Sequence, residues 1–168
     1  MPRIATSPAD LPDMAELLSM SGLEFMQGIL DGTVPGPPIG NTMGYALHAV
    51  DTGKAVFRGT PEFKTTNPMG TVHGGWYGTL LDSAMACAVM THVPRGSVYT
   101  TLEYKINITC AIPLGTLIEC VGITDHAGRS TCVAHGEIRG VEDNRLYATG
   151  STTCIIMKMQ SQSQNPPA

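Results

Sequence analysis

Between Lys64 and Arg95 the chain carries one formal charge, Asp82, inside a run of small and apolar residues that begins Gly70-Thr71-Val72-His73-Gly74-Gly75. A lone carboxylate in such surroundings is costly to bury unless it is hydrogen-bonded or used, and groups of this kind collect at functional sites. It suits the work of a general base or a nucleophile. The complementary groups lie just upstream. Amides that open a helix are unpaired and sit at the positive end of its dipole, so Gly74 and Gly75 offer N–H donors for a developing oxyanion with no side chain blocking approach. Each residue also has a plain structural reading: a loop-capping carboxylate for Asp82, a helix-start residue for His73, a turn residue for Asn67 before Pro68, and turn or packing roles for the glycines.

Distance limits how these groups cooperate. Gly74 and Asp82 are eight residues apart, so on one helix their backbones are separated by roughly 12 Å at 1.5 Å per residue. If both act on one carbonyl, Asp82 must come from a second copy of the helix, running antiparallel across a two-fold axis, with two identical sites per homodimer. Gly78, Ser83 and Ala84 are small enough to permit that approach.

The elements that must hold these residues follow from periodicity and breakers. His73 to about His92 reads as a helix with no polar face, one buried nearly all round, ended before Pro94-Arg95-Gly96. Thr42–Val50 and Ala55–Thr60 flank the hairpin turn Asp51-Thr52-Gly53. Four extended segments follow the helix at Val98–Thr109, Gly115–Thr124, Thr131–Val141 and Arg145–Met157, joined by short turn-rich links, including Asp125 to Arg129, that favour antiparallel neighbours. This predicts an α+β fold in which about six antiparallel strands curl around one central helix. The first 40 residues form a separate arm: helical turns over Asp13–Met20, a helix over Leu23–Leu30 opened by the Ser21/Glu24 capping box, and a loop from Gly32 to Gly40 whose Pro35, Pro37 and Pro38 exclude helix. The arm packs on the core or covers an apolar pocket. The expected domain is residues 41–158, with a polar, Pro-terminated tail at 159–168 expected to be disordered.

Composition narrows the function classes. In 168 residues the chain has 42% apolar and 14% charged residues and a formal charge of −4, with basic residues scattered singly. That pattern gives no electrostatic footprint for nucleic acid or an anionic membrane, and a low surface charge fits a face covered by a partner chain. A membrane span over the apolar helix is opposed by Asp82, Thr79, Ser83 and the strand-rich context. Five cysteines without a CxxC pair, and no apolar signal core after Met1-Pro2-Arg3, read as reduced thiols in a cytoplasmic protein without a zinc site.

Asn67-Pro68-Met69-Gly70-Thr71-Val72-His73-Gly74-Gly75 followed by Thr79-Leu80-Leu81-Asp82 resembles the signature of hotdog-fold acyl-CoA thioesterases, of the phenylacetate-pathway (PaaI-like) type and its human counterparts. The resemblance spans about Thr42 to Met157, with Tyr99–Asn107 as the strand after the helix and Gly128-Arg129 in a later turn; the arm lies outside it. It implies a hotdog fold, dimers or dimers of dimers with sites between subunits, and hydrolysis of an acyl- or aryl-CoA thioester. Coenzyme A is then part of the substrate, and neither cofactor nor metal is needed. It further implies Asp82 as base or nucleophile, Gly74 N–H as oxyanion donor aided by His73 and Asn67, and Thr101 holding the attacking water, with Thr100 its rival because a one-residue register slip exchanges their faces. Gly75, Arg129 and Trp76 are expected to touch substrate, and Arg139, Lys105 and Arg95 are further candidates for the CoA phosphates. A non-catalytic acyl-binding or sensor protein, and an acyl-thioester hydratase or dehydratase, are the alternatives on the same fold.

Overall fold

The computed structural model describes residues 3–159, so the expected tail from 160 onward lies outside the described residues. In the arm, α1 (Met14–Ser19) is capped by Asp13, and α2 (Gly22–Asp31) by the reciprocal Ser21–Glu24 box. The loop expected from Gly32 to Gly40 ends at Pro37, because Pro38 opens a further helix, α3 (Pro38–Met43). A proline's preset φ and missing N–H suit the first helical position, so Pro38 starts a helix it could not have sat within. α3 also takes Thr42 and Met43 from the expected first strand.

β1 (Tyr45–Asp51) and β2 (Lys54–Gly59) form the hairpin around Gly53, whose φ of 74° suits glycine. A turn of 3-10 helix at Phe63–Thr65 leads to α4 (Gly74–Met90), followed by β3 (Ser97–Ile108), β4 (Ile118–Ala127), β5 (Thr131–Gly140) and β6 (Leu146–Lys158). β4 lies three residues beyond its expected bounds, since Asp125–Ala127 continue the ladder through a bulge between Thr124 and His126 instead of turning. The six strands form one antiparallel sheet in the order β1-β2-β4-β5-β6-β3, wrapped around α4, and β3 is an edge.

A row of glycines seats the helix. Gly122, Gly136 and Gly150 are register partners across β4, β5 and β6. A Cβ on Gly122 would fall 2.2 Å from the Ala84 carbonyl oxygen, and on Gly136 3.0 Å from Met85 Cγ. Mid-strand glycine normally weakens a sheet, and here it admits the helix backbone directly onto the strands. Ala substituted at Gly122 must therefore push α4 away. We expect Gly122→Ala to lower unfolding free energy by about 3 kcal/mol, at the upper end of overpacking costs, read from the urea midpoint of the ordered protein; a midpoint equal to wild type would contradict this seating.

The arm is pinned to the far end of α4. Gly22 N donates to Val93 O at 2.8 Å, Gly96 N to Leu18 O at 2.9 Å, and Arg95 holds both Ser19 O and the Glu24 carboxylate. Among the described residues no helix is long and apolar enough to cross a membrane.

Candidate active site

Asp82 sits half-buried at the middle of α4, facing β3, and its Oδ1 accepts a hydrogen bond from Thr101 Oγ1 at 3.1 Å. The strand delivers Thr101 through a bulge. Tyr99 and Thr101 alternate toward the helix; the register then slips between Thr101 and Glu103, leaving Leu102 61% exposed. Beyond the slip the inward set is Tyr104, Ile106 and Ile108, the first two against Gly78 and the last against Gly74. The extra residue aims Thr101 at the carboxylate and lets β3 keep covering α4 on both sides of it. Thr100, its rival by register, is exposed.

Burial pushes the Asp82 carboxyl above its ordinary pKa, because desolvation penalises the anion, and the Thr101 hydrogen bond draws it partly back. The two effects predict a pH signature. Thr101→Val removes the lowering contribution, so the acid limb of any activity that needs ionised Asp82 should move to higher pH, read as the lower apparent pKa of kcat/KM. An unmoved limb would separate Thr101 from the working carboxylate.

At the start of the helix His73 is the N-cap, and its Nδ1 accepts from Gly75 N at 2.8 Å. That bond occupies Gly75, one of the two amides read from the sequence as donors. The Gly74 amide has no hydrogen-bond partner among the described residues and stays available at the positive end of the helix. With Nδ1 accepting, the neutral imidazole carries its proton on Nε2, a further donor at the helix start. Asn67 works within its own loop: Oδ1 accepts from Met69 N (2.9 Å) and Thr71 N (3.3 Å), and Nδ2 donates to Thr71 Oγ1 (2.9 Å). It shapes the turn, closed by Gly70 at φ 75°, that aims His73 and the helix start.

The other expected substrate contacts are dispersed. Trp76 is 1% exposed and donates from Nε1 to Met43 O, which makes it a core side chain tying α4 to α3. Arg129 is exposed at the tip of the β4–β5 turn, and Lys105 is exposed on β3. Arg139 is engaged by Glu137 and Asn144 O, and Arg95 by the arm. Ser83 and Ala84, expected to admit a second helix, are used inside the protomer: Ser83 bonds Tyr45, and Ala84 lies on Gly122. Gly78 alone of the three faces β3. Sequence reasoning missed the bulge at Leu102 and the Tyr45–Ser83 hydroxyl pair, 2.9 Å apart; neither leaves a local signal, since both depend on strands meeting a helix distant in the chain.

A curved six-stranded antiparallel sheet around a central helix, with a carboxylate in that helix and a free amide at its start, defines a hotdog-fold thioester hydrolase. Residues 69–147 match the family model of the thioesterase superfamily. Solved structures agree. A putative thioesterase from Ralstonia eutropha JMP134, described as phenylacetic acid degradation-related, is 28% identical with a TM-score of 0.70, over 78% of this chain and 98% of that one. A hypothetical thioesterase protein from Streptococcus pneumoniae TIGR4, solved with coenzyme A, is 25% identical with a TM-score of 0.62, over 70% and 89%. The phenylacetic acid degradation protein PaaI from Thermus thermophilus, solved as a point mutant, shares the fold at 24% identity and a TM-score of 0.64, over 70% and 97%. No curated protein matches in sequence.

Proposed function

We propose that this chain hydrolyses an acyl-CoA thioester to the free acid and CoA in sites shared between two subunits, with Asp82 of one as general base or nucleophile and Gly74 N–H of the other as oxyanion donor. The observation that carries the reading is the half-buried Asp82 carboxylate, raised in pKa and held by Thr101 beside an unpaired sheet edge. Gly74 and Asp82 are equally spaced in sequence about Gly78. A two-fold axis passing near Gly78 between antiparallel helices therefore sets each amide opposite the partner's carboxylate. β3 supplies the surface for such pairing: it is an edge strand of 12 residues whose Leu102, Tyr104 and Ile108 are 61%, 47% and 45% exposed. Long apolar edges are normally covered. Phe63 and Met69, 80% and 85% exposed on the loop before α4, extend the apolar surface.

Thr101 holds either the attacking water or the carboxylate that activates it. His73 Nε2–H assists Gly74 at the carbonyl, and Asn67 acts by shaping the turn beneath both. The coenzyme A in the pneumococcal neighbour supports CoA as the carrier, and Arg129 and Lys105 are the cations proposed to meet its phosphates. The hydratase alternative finds no support at this site, because the one close His–acid pair among the described residues, His135 and Asp125 at 2.7 Å, lies on the sheet face turned away from α4. Release of free thiol from a panel of acyl-CoA esters tests the reading; a dimeric protein that binds these esters without releasing thiol is a binding module instead.

A further inference from the structure

We infer that the acyl group taken by this site is an aliphatic chain of about eight to ten carbons, lying along α4 in an apolar cavity closed by the N-terminal arm. The inference rests on the acyl-CoA reading above. The cavity measures about 340 Å³. One wall is Ser83, Cys87 and Met90 of α4, spaced i, i+4, i+7 on a single helix face, and the facing wall includes Phe25, Met26 and Ile29 of α2. It begins beside the candidate site: Ser83 follows Asp82, Tyr99 lies one same-face position before Thr101, and the Asp82 charge adds a smaller contribution to the rise that burial gives the pKa of Cys87 and Tyr99.

Two independent measures set the length of the occupant. From Ser83 to Met90 the helix rises about 10 Å, which spans about eight bonds of an extended chain, taking roughly 3.6 Å for three backbone bonds. At about 30 Å³ per water-sized group the volume holds on the order of ten heavy atoms. The chemistry of the lining sets its polarity. No lining residue is charged, and the Ser83 and Tyr45 hydroxyls are used on each other and on Thr79 O. A hydrocarbon is accepted there, whereas a terminal carboxylate would be buried with no cation to pair with, only the neutral hydroxyls of Ser97 and Tyr99 remaining as donors. Leu11 and Ile39, 41% and 44% exposed, mark a rim through which longer chains emerge into water. The arm lies outside the stretch that matches the thioesterase superfamily and α4 within it, so this selection is made jointly by the extension and the shared domain.

The test measures kcat/KM for acetyl-, butyryl-, hexanoyl-, octanoyl-, decanoyl-, palmitoyl-, phenylacetyl- and suberyl-CoA, and separately the affinity of the straight-chain alcohols from butan-1-ol to dodecan-1-ol for the same protein. Both series should rise roughly threefold to fourfold per methylene and flatten beyond about ten carbons, with suberyl-CoA at least 10²-fold below octanoyl-CoA. Cys87→Phe, one turn beyond Ser83, should cut the octanoyl-to-butyryl ratio at least tenfold. Should that variant misfold by circular dichroism, Met90→Phe at the far end should move the plateau down by two or three carbons. A rise that continues to palmitoyl, a series flat from acetyl, equal use of suberyl and octanoyl esters, or phenylacetyl exceeding octanoyl tenfold overturns the inference. If no ester is cleaved, the hydrolase reading fails on its own, and the alcohol series still decides the cavity: rise and plateau support it, and no binding overturns it.

Discussion

Asp82→Asn should lower thioester hydrolysis by on the order of 10²-fold or more while leaving fold and assembly intact, since a positioned acid or base contributes at least that much. Asparagine keeps the shape and can still accept from Thr101, so the neighbourhood of α4 and β3 survives. Stability should even favour the variant at neutral pH. The folded Asp82 carboxyl stands above its ordinary pKa because burial disfavours the anion. Its contribution to stability is therefore greatest below the unfolded pKa and is lost as pH rises through the folded one. A neutral amide carries no such loss, so the thermal midpoint at pH 7 should equal or exceed that of wild type. Near-normal kcat/KM in a correctly folded variant removes Asp82 from the mechanism.

The second large effect is restoration of activity by mixing two inactive proteins. Gly74→Pro deletes the one amide at the helix start that has no partner within the described chain, at little structural cost. Gly74 is the first residue of α4, where proline is favoured. His73 before it has φ −64° and ψ 138°, already in the region that a following proline demands. A Cβ at Gly74 meets only Ile108 Cδ1 at 3.7 Å, an ordinary contact. The activity of Gly74→Pro alone should fall by 10²-fold or more, as it does when other oxyanion donors are removed. After subunit exchange with Asp82→Asn, half of the dimers are mixed, and each mixed dimer has one site with both groups intact. Activity should recover to about a quarter of wild type. Exchange demonstrated by mass-tagged subunits without any recovery would place Gly74 and Asp82 in separate functions.

Two devices in the fold explain why the candidate site has this form. The glycine row under α4 brings the helix close to β4, β5 and β6, which leaves room for β3 to run antiparallel beside it on the open side. The bulge at Leu102 then resets that strand, so a single edge element presents Thr101 to Asp82 and Tyr104 to Gly78. Were the same residues to run as a regular strand without the bulge, Tyr104, Ile106 and Ile108 would point to the opposite face.

Much of this was legible in the linear chain, for local reasons. The buried helix, its solitary acid, the glycines at its start, the capping box of the arm and the order of strand and helix all follow from periodicity, breakers and charge placement within a few residues. The misplaced boundaries are also local: Pro38, expected within a loop that excludes helix, opens α3, and Asp125, expected in a turn, is carried along the ladder by a bulge. What the sequence could not determine depends on pairs far apart in it. That Ser83 turns toward Tyr45, that Trp76 is core, and that the arm closes an apolar cavity beside Asp82 are outcomes of packing between α4, β1, β3, α3 and α2. Side-chain chemistry and short-range pattern decide which residues can react and which elements form; only the three-dimensional meeting of distant elements decides which hydroxyl faces the acid and how much room the substrate has.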